Sequence, residues 1–142
     1  MLVKSLLVLG LVVGLTGSIC GQAVRTPAPG SAERKAIIAA LRIPVEKEMK
    51  QKVAFKVRTL NISGSWAYIG GEPTTPAGKL LSLKNTVYEG QEDMFDNNFS
   101  GLLRKTGGKW RVVQHALGCT DVCYADWWKR FNAPKAIFPY TE

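Results

Sequence analysis

The chain has 142 residues, with 19 Lys and Arg against 11 Asp and Glu, a single His and a formal net charge of +8. Setting aside a leader and a short flexible lead, both read below, leaves about 110 residues of folded material, enough for one core-bearing domain and too few for two. A basic balance outside the cytoplasm favours contact with anionic envelope material or an acidic partner; no Lys/Arg run exceeds two residues and no nucleic-acid-binding motif is present, so a nucleic-acid partner is not expected.

Met1 is followed by a lone charge at Lys4, an apolar run from Leu6 to Leu15, and then small and polar residues. This is the layout of a secretory signal peptide. The run is about ten residues long against the roughly twenty that span a bilayer, which favours cleavage over anchoring. Small residues at Gly21 and Ala23, or at Ser18 and Cys20, suit a peptidase, and the mature protein is expected to begin near Val24. Losing residues 1–23 removes Lys4 and no acid, so the charge falls from +8 to +7. Cys20 would be the acylated residue of a lipoprotein, although the branched Ile19 beside it fits that motif poorly. The expected location is periplasmic or secreted, with no transmembrane segment after cleavage. Residues 24–30, with Pro27 and Pro29, read as a flexible lead, and residues 31–142 as a single domain.

Ser31 can cap a helix that carries Glu33 in its first turn. Ile37, Ile38, Leu41, Val45 and Met49 recur at helical spacing, with Lys35, Arg42, Glu46 and Lys50 elsewhere on the wheel. Pro44 lacks an N–H and clashes with the preceding turn, so a kink near Ile43, or two short helices ending by Gln51, is expected. Val53, Phe55 and Val57 alternate as a half-buried strand does. Past Thr59 the apolar residues shift to Leu60 and Ile62, and a β-bulge near Thr59 would return both sets to one face. Ser63-Gly64 turns the chain into a second strand, Trp66–Ile69, which ends before Gly70-Gly71. Residues 72–78, with Pro73 and Pro76, read as a loop, residues 80–88 as an irregular strand, and residues 89–98 as a polar, acidic stretch.

Residues 98–118 form two apolar-containing runs around Gly107-Gly108, a hairpin signal because glycine reaches the positive φ of a tight turn. Leu102, Leu103, Trp110, Val112 and Val113 give that hairpin a face in need of cover. Ala125–Phe131 reads as a short helix closed by Asn132 and Pro134, with one of Trp127 and Trp128 buried. The fold class is α+β: an N-terminal kinked helix from Ser31 to Gln51 packs on a curved antiparallel sheet of about four strands, and a short C-terminal helix closes one edge.

Cys119 and Cys123 are the cysteines of the mature chain, and an exported pair at this spacing is expected as a disulfide. With His115 they make too few ligands for zinc, and three intervening residues do not fit a redox dithiol. His115 as a catalytic base finds no nucleophile elbow at Ser100 or Thr120; on a strand it shares parity with Arg111, Val113 and Leu117, as a half-buried sheet residue. Glu89, Glu92, Asp93 and Asp96 lack the EF-hand pattern, and nothing around them would raise the pKa of a glycosidase acid. No catalytic residue, metal or cofactor is expected. Asn61 and Asn98 each open an Asn-x-Ser triplet. The surface feature that remains is the hairpin tip, where Arg104, Lys105, Lys109 and Arg111 surround Trp110, the composition of an interaction surface.

Arg34-Lys35-Ala36-Ile37, Pro44-Val45-Glu46, Val53-Ala54-Phe55-Lys56-Val57, Gly64-Ser65-Trp66-Ala67-Tyr68, Leu102-Leu103-Arg104-Lys105 before Trp110, and Thr120-Asp121-Val122 before Trp127-Trp128 resemble a group of small exported bacterial proteins. The resemblance implies an envelope location and no activity, and Cys119 and Cys123 stand outside its pattern. The layout is also similar to cystatin-like and nuclear-transport-factor-2-like domains, folds that host inhibitors, binding modules and isomerases alike. The function expected is a non-enzymatic exported binding protein, an inhibitor or accessory factor, that contacts an anionic envelope polymer or a partner protein through the basic hairpin. The alternative is a small-ligand-binding or enzymatic domain with a pocket between helix and sheet, lined by Trp66, Tyr68, His115 and Asp121.

Overall fold

A computed structural model describes residues 22–142; residues 1–21, which hold most of the expected leader and Cys20, lie outside the described residues. Helix α1 spans Ala32–Met49, capped by Ser31, whose hydroxyl accepts from the Arg34 N–H. It is one helix and not two. Pro44 forfeits a backbone bond, but Ile37, Leu41, Val45 and Met49 are all buried, so one apolar stripe anchors the helix on both sides of the proline. Ile43, by contrast, is 74% exposed. Lys50 ends the helix in the left-handed region (φ 52°), and the Gln51 side chain donates back to the Met49 carbonyl.

Strands β1 (Ala54–Ser63), β2 (Trp66–Thr74), β3 (Phe99–Thr106) and β4 (Lys109–Leu117) form one antiparallel sheet in the order β1-β2-β3-β4. The register of β1 against β2 slips between Val57 and Thr59, the bulge that the parity shift foretold. It brings Val53, Phe55, Val57, Leu60 and Ile62 into one core cluster under α1. The segment 24–30, expected as a flexible lead, is tied to the sheet instead: Arg25 and Ile62 exchange backbone bonds of 2.9 and 2.8 Å, and Pro27 is buried.

β2 runs five residues beyond the expected Ile69, through Gly70, Gly71, Glu72, Pro73 and Thr74, into what composition marks as a loop. Its last pair with β3 is Gly71↔Phe99, so Pro73 sits where β2 has become an edge and a missing N–H is tolerated. Residues 80–88 are not a strand. They form turns, with Asn85 at φ 62° and Thr86 bonded back to Leu83, while Leu81, Leu83 and Tyr88 pack on the core. Ser82 finds its strand-like partner in a side chain: the Gln51 amide donates to its carbonyl at 2.7 Å and accepts from its N–H at 3.2 Å.

A second slip, at Val113 of β4, sorts the hairpin onto two faces. Leu103, Trp110, Val112, His115 and Leu117 face α1, whereas Leu102, Val113 and Ala116 face the other way. Arg111 and Val113 therefore part company with His115 and Leu117, contrary to simple parity. The far face is covered by the chain after Gly118, through Tyr124, Trp127, Ala133, Ile137 and Phe138. Helix α2 (Trp127–Arg130) belongs to this layer, so it covers a face and does not close an edge. Trp127 is 1% exposed, and Asn132 stops the turn at φ 53°.

The stripe under α1 makes a direct prediction. Leu41→Ala should cost about 2–5 kcal/mol in urea unfolding, from lost burial plus a cavity. Ile43→Ala, two residues away on the same helix, should change stability by no more than about 0.5 kcal/mol.

Candidate functional site

The hairpin turn, Gly107-Gly108, has φ of 58° and 76°, the double positive values of a two-residue hairpin turn. This sets Arg104 directly opposite Arg111, Lys105 opposite Trp110 and Thr106 opposite Lys109. Alternation then places Arg104, Lys109 and Arg111 on the far face, with Lys105 alone on the α1 face. Lys105 reaches Glu33 at 4.0 Å, and Glu33 is already engaged by a bidentate Arg25 at 2.6 and 3.0 Å, which holds its carboxyl below the usual range. Among the described residues, no carboxylate pairs with Arg104, Lys109 or Arg111.

Trp110 does not join them at the surface. It is 8% exposed, part of the core under α1, and its indole N–H has no partner among the described residues. The aromatic that accompanies the cations is Trp66, across β2, with the Arg104 guanidinium 5.1 Å over its ring. The Lys105 backbone N–H donates to the Ser65 carbonyl at 2.7 Å, fixing the hairpin against the β1–β2 turn. A basic and aromatic end of the sheet results: Trp66, Arg104, Lys109 and Arg111.

The four residues of the pocket alternative do not converge. The volume between α1 and the sheet is packed core. The cavity lies on the far face, at the end of the sheet away from the hairpin turn, and of the four residues only Tyr68 and Asp121 line it. Trp66 is at the cationic end, and His115 is on the α1 side, its Nε2 2.6 Å from Glu48 Oε2. The Tyr88 hydroxyl donates to the other Glu48 oxygen. The His115 bond, opposed by burial and helped by Tyr88, holds the Glu48 carboxyl below its usual range; burial and then Glu48 push the Tyr88 hydroxyl upward. Sequence spacing gave no sign of this cluster, because its members come from three distant segments.

Cys119 and Cys123 form a disulfide, Cα to Cα 6.2 Å. Asn98 pins its first half: the side-chain amide donates to the Cys119 carbonyl at 2.7 Å and accepts its N–H at 3.0 Å. Asn61 donates to the Ile137 carbonyl at 2.9 Å. Both Asn-x-Ser asparagines are thus spent on internal bonds. Among the described residues, no three His, Cys, Asp or Glu side chains gather as metal ligands would, and no helix is long and apolar enough to cross a membrane. Compared with family models, curated proteins and solved structures, the chain matches none.

The Glu48 cluster sets a pH dependence. A carboxyl with a depressed folded pKa stabilises above its unfolded pKa, about 4.3 for Glu, and that contribution is lost as pH falls through the folded value. Glu48→Gln should therefore lower Tm at pH 7, and the gap between variant and wild type should narrow as pH drops from about 5 to 2.

Proposed function

We propose that this is an exported, non-enzymatic binding protein, an inhibitor or accessory factor, that docks an anionic envelope component through the cationic end of its sheet. The observation that carries the reading is the Arg104↔Arg111 pair. Like charges directly opposite across two strands destabilise a ribbon. Here they share a face with Lys109 and have no pairing carboxylate among the described residues. An anion laid across that face would neutralise a repulsion that the free protein carries, so the differential favours the bound state. Trp66 under the Arg104 guanidinium adds a flat apolar platform beside the charges.

The Cys119–Cys123 disulfide supports export, since such bonds persist in oxidising compartments, and the leader-like first residues agree with it. The single histidine supports a non-enzymatic role: it is bound to Glu48 on the α1 side, away from the cavity.

Two measurements follow. In a pull-down from envelope extract, the mature wild type should retain a discrete component at low salt and release it at high salt. The variant with Arg104, Lys105, Lys109 and Arg111 changed to alanine should retain none; equal retention by the variant would remove the hairpin from the mechanism. Arg111→Thr alone should raise unfolding stability by about 0.2–1 kcal/mol, by removing the like-charge pair, while weakening retention.

A further inference from the structure

The far-face cavity has a volume of about 500 Å³, within the roughly 300–1,000 Å³ of small-molecule sites. Its deepest polar groups are hydroxyls. Tyr68 and Ser100 are 2% and 9% exposed, and their oxygens lie 3.2 Å apart. Tyr124, whose ring packs 4.9 Å from that of Tyr68, brings a third hydroxyl to the same lining. The Tyr68–Ser100 pair has two O–H groups and uses one of them in the bond between them, which leaves the other O–H, and that of Tyr124, available to a ligand in the opening. Gly70 keeps that opening clear, because a Cβ there would stand 2.8 Å from the Tyr68 hydroxyl.

The walls supply acceptors. Asp96, Asn97, Thr120 and Asp121 line the rim, whereas Asn98 is committed to Cys119. The cation in the lining, Arg58, is paired with Glu72, so no free positive charge invites a phosphate or carboxylate. Asp96 and Asp121 are exposed, hydrated carboxylates. They repel an anion, yet in water they hold a cation only weakly. Buried ionic recognition is absent from the described lining, and hydroxyl, amide and carboxylate acceptors surround a floor of neutral donors.

We propose that this cavity binds a neutral polyhydroxylated ligand of mono- or disaccharide size, with Tyr68 and Ser100 bonding it at the floor and Asp96, Asn97 and Asp121 accepting its hydroxyls at the rim. Burial holds the Tyr68 hydroxyl above its ordinary pKa range, so it stays a donor at any physiological pH. The site lies apart from the cationic hairpin and does not depend on the reading given to that end.

The test is saturation-transfer NMR on the intact mature protein with glucose, N-acetylglucosamine and trehalose as separate probes, and with tetramethylammonium and inorganic phosphate as contrasts. At least one sugar should receive saturation, and its Kd should rise about tenfold in Tyr68→Phe, which keeps the ring and removes one hydrogen bond. The Tyr68→Phe amide spectrum should stay dispersed, so that a lost signal is not lost folding; Ser100→Ala provides the second variant, with the same expected direction. The four-alanine hairpin variant should bind the sugar as wild type does, which separates failure of this site from failure of envelope docking. Absence of transfer to all three sugars, undiminished affinity in both hydroxyl variants, or displacement of the sugar by tetramethylammonium or phosphate would overturn the proposal.

Discussion

One four-stranded sheet with apolar residues on both faces has to be covered twice, with a single long helix among the described residues. Helix α1 lays Ile37, Leu41, Val45 and Met49 on one side. The other side is covered by a short, mostly irregular layer built on Trp127, Ile137 and Phe138. Because strand side chains alternate, a slip of one residue would move every apolar group to the wrong cover. The bulges at Arg58 and Val113 prevent this, each absorbing one residue where the sequence changes phase. The thin second layer stops short of the end of the sheet that holds Gly70 and Ser100, and the cavity is the space it leaves.

Between β2 and β3 the chain leaves and re-enters the sheet at the same end through a long connection whose regular structure is one 3-10 turn, Glu92–Met94, and side-chain amides take the place of strand partners. Gln51 pairs with both backbone groups of Ser82, and Asn98 with both of Cys119. Each amide offers one donor and one acceptor in the geometry of a peptide group, so the segment gains ladder-like bonds while remaining a loop. Glu48 adds a third tether through Tyr88 and His115. Asn98 ties Cys119, and with it the Thr120–Asp121 part of the cavity rim, to the start of β3.

The helix, the first bulge and the hairpin were legible because each is written in local pattern: an apolar stripe, a change of parity, a glycine pair. Glu72, Pro73 and Thr74 were not read as strand, since pairing with Ala54, Phe55 and Lys56 outweighs their composition. The reverse holds at residues 80–88, where strand-like residues lack a backbone neighbour and fold into turns. At the cationic end the charges were visible but not their sorting: Arg104, Lys109 and Arg111 share a face with Trp66, whereas Lys105 lies over Trp110 on the α1 face, a split that only the register shows. Tyr68 and Asp121 line a cavity on the far face, not between helix and sheet where sequence placed them. The cluster of Glu48, Tyr88 and His115 had no sequence signal at all, being assembled from three segments by tertiary packing.

β3 also acts as a ruler. From Ser100 at the cavity to Thr106 at the turn, strand geometry spans about 20 Å, well beyond the Debye length of about 8 Å at physiological salt. The acidic rim and the basic tip are thus insulated from one another by the length of a single strand, and a change of charge at either end goes unfelt at the other. Such a molecule has two poles that can be tuned separately, on one rigid bar.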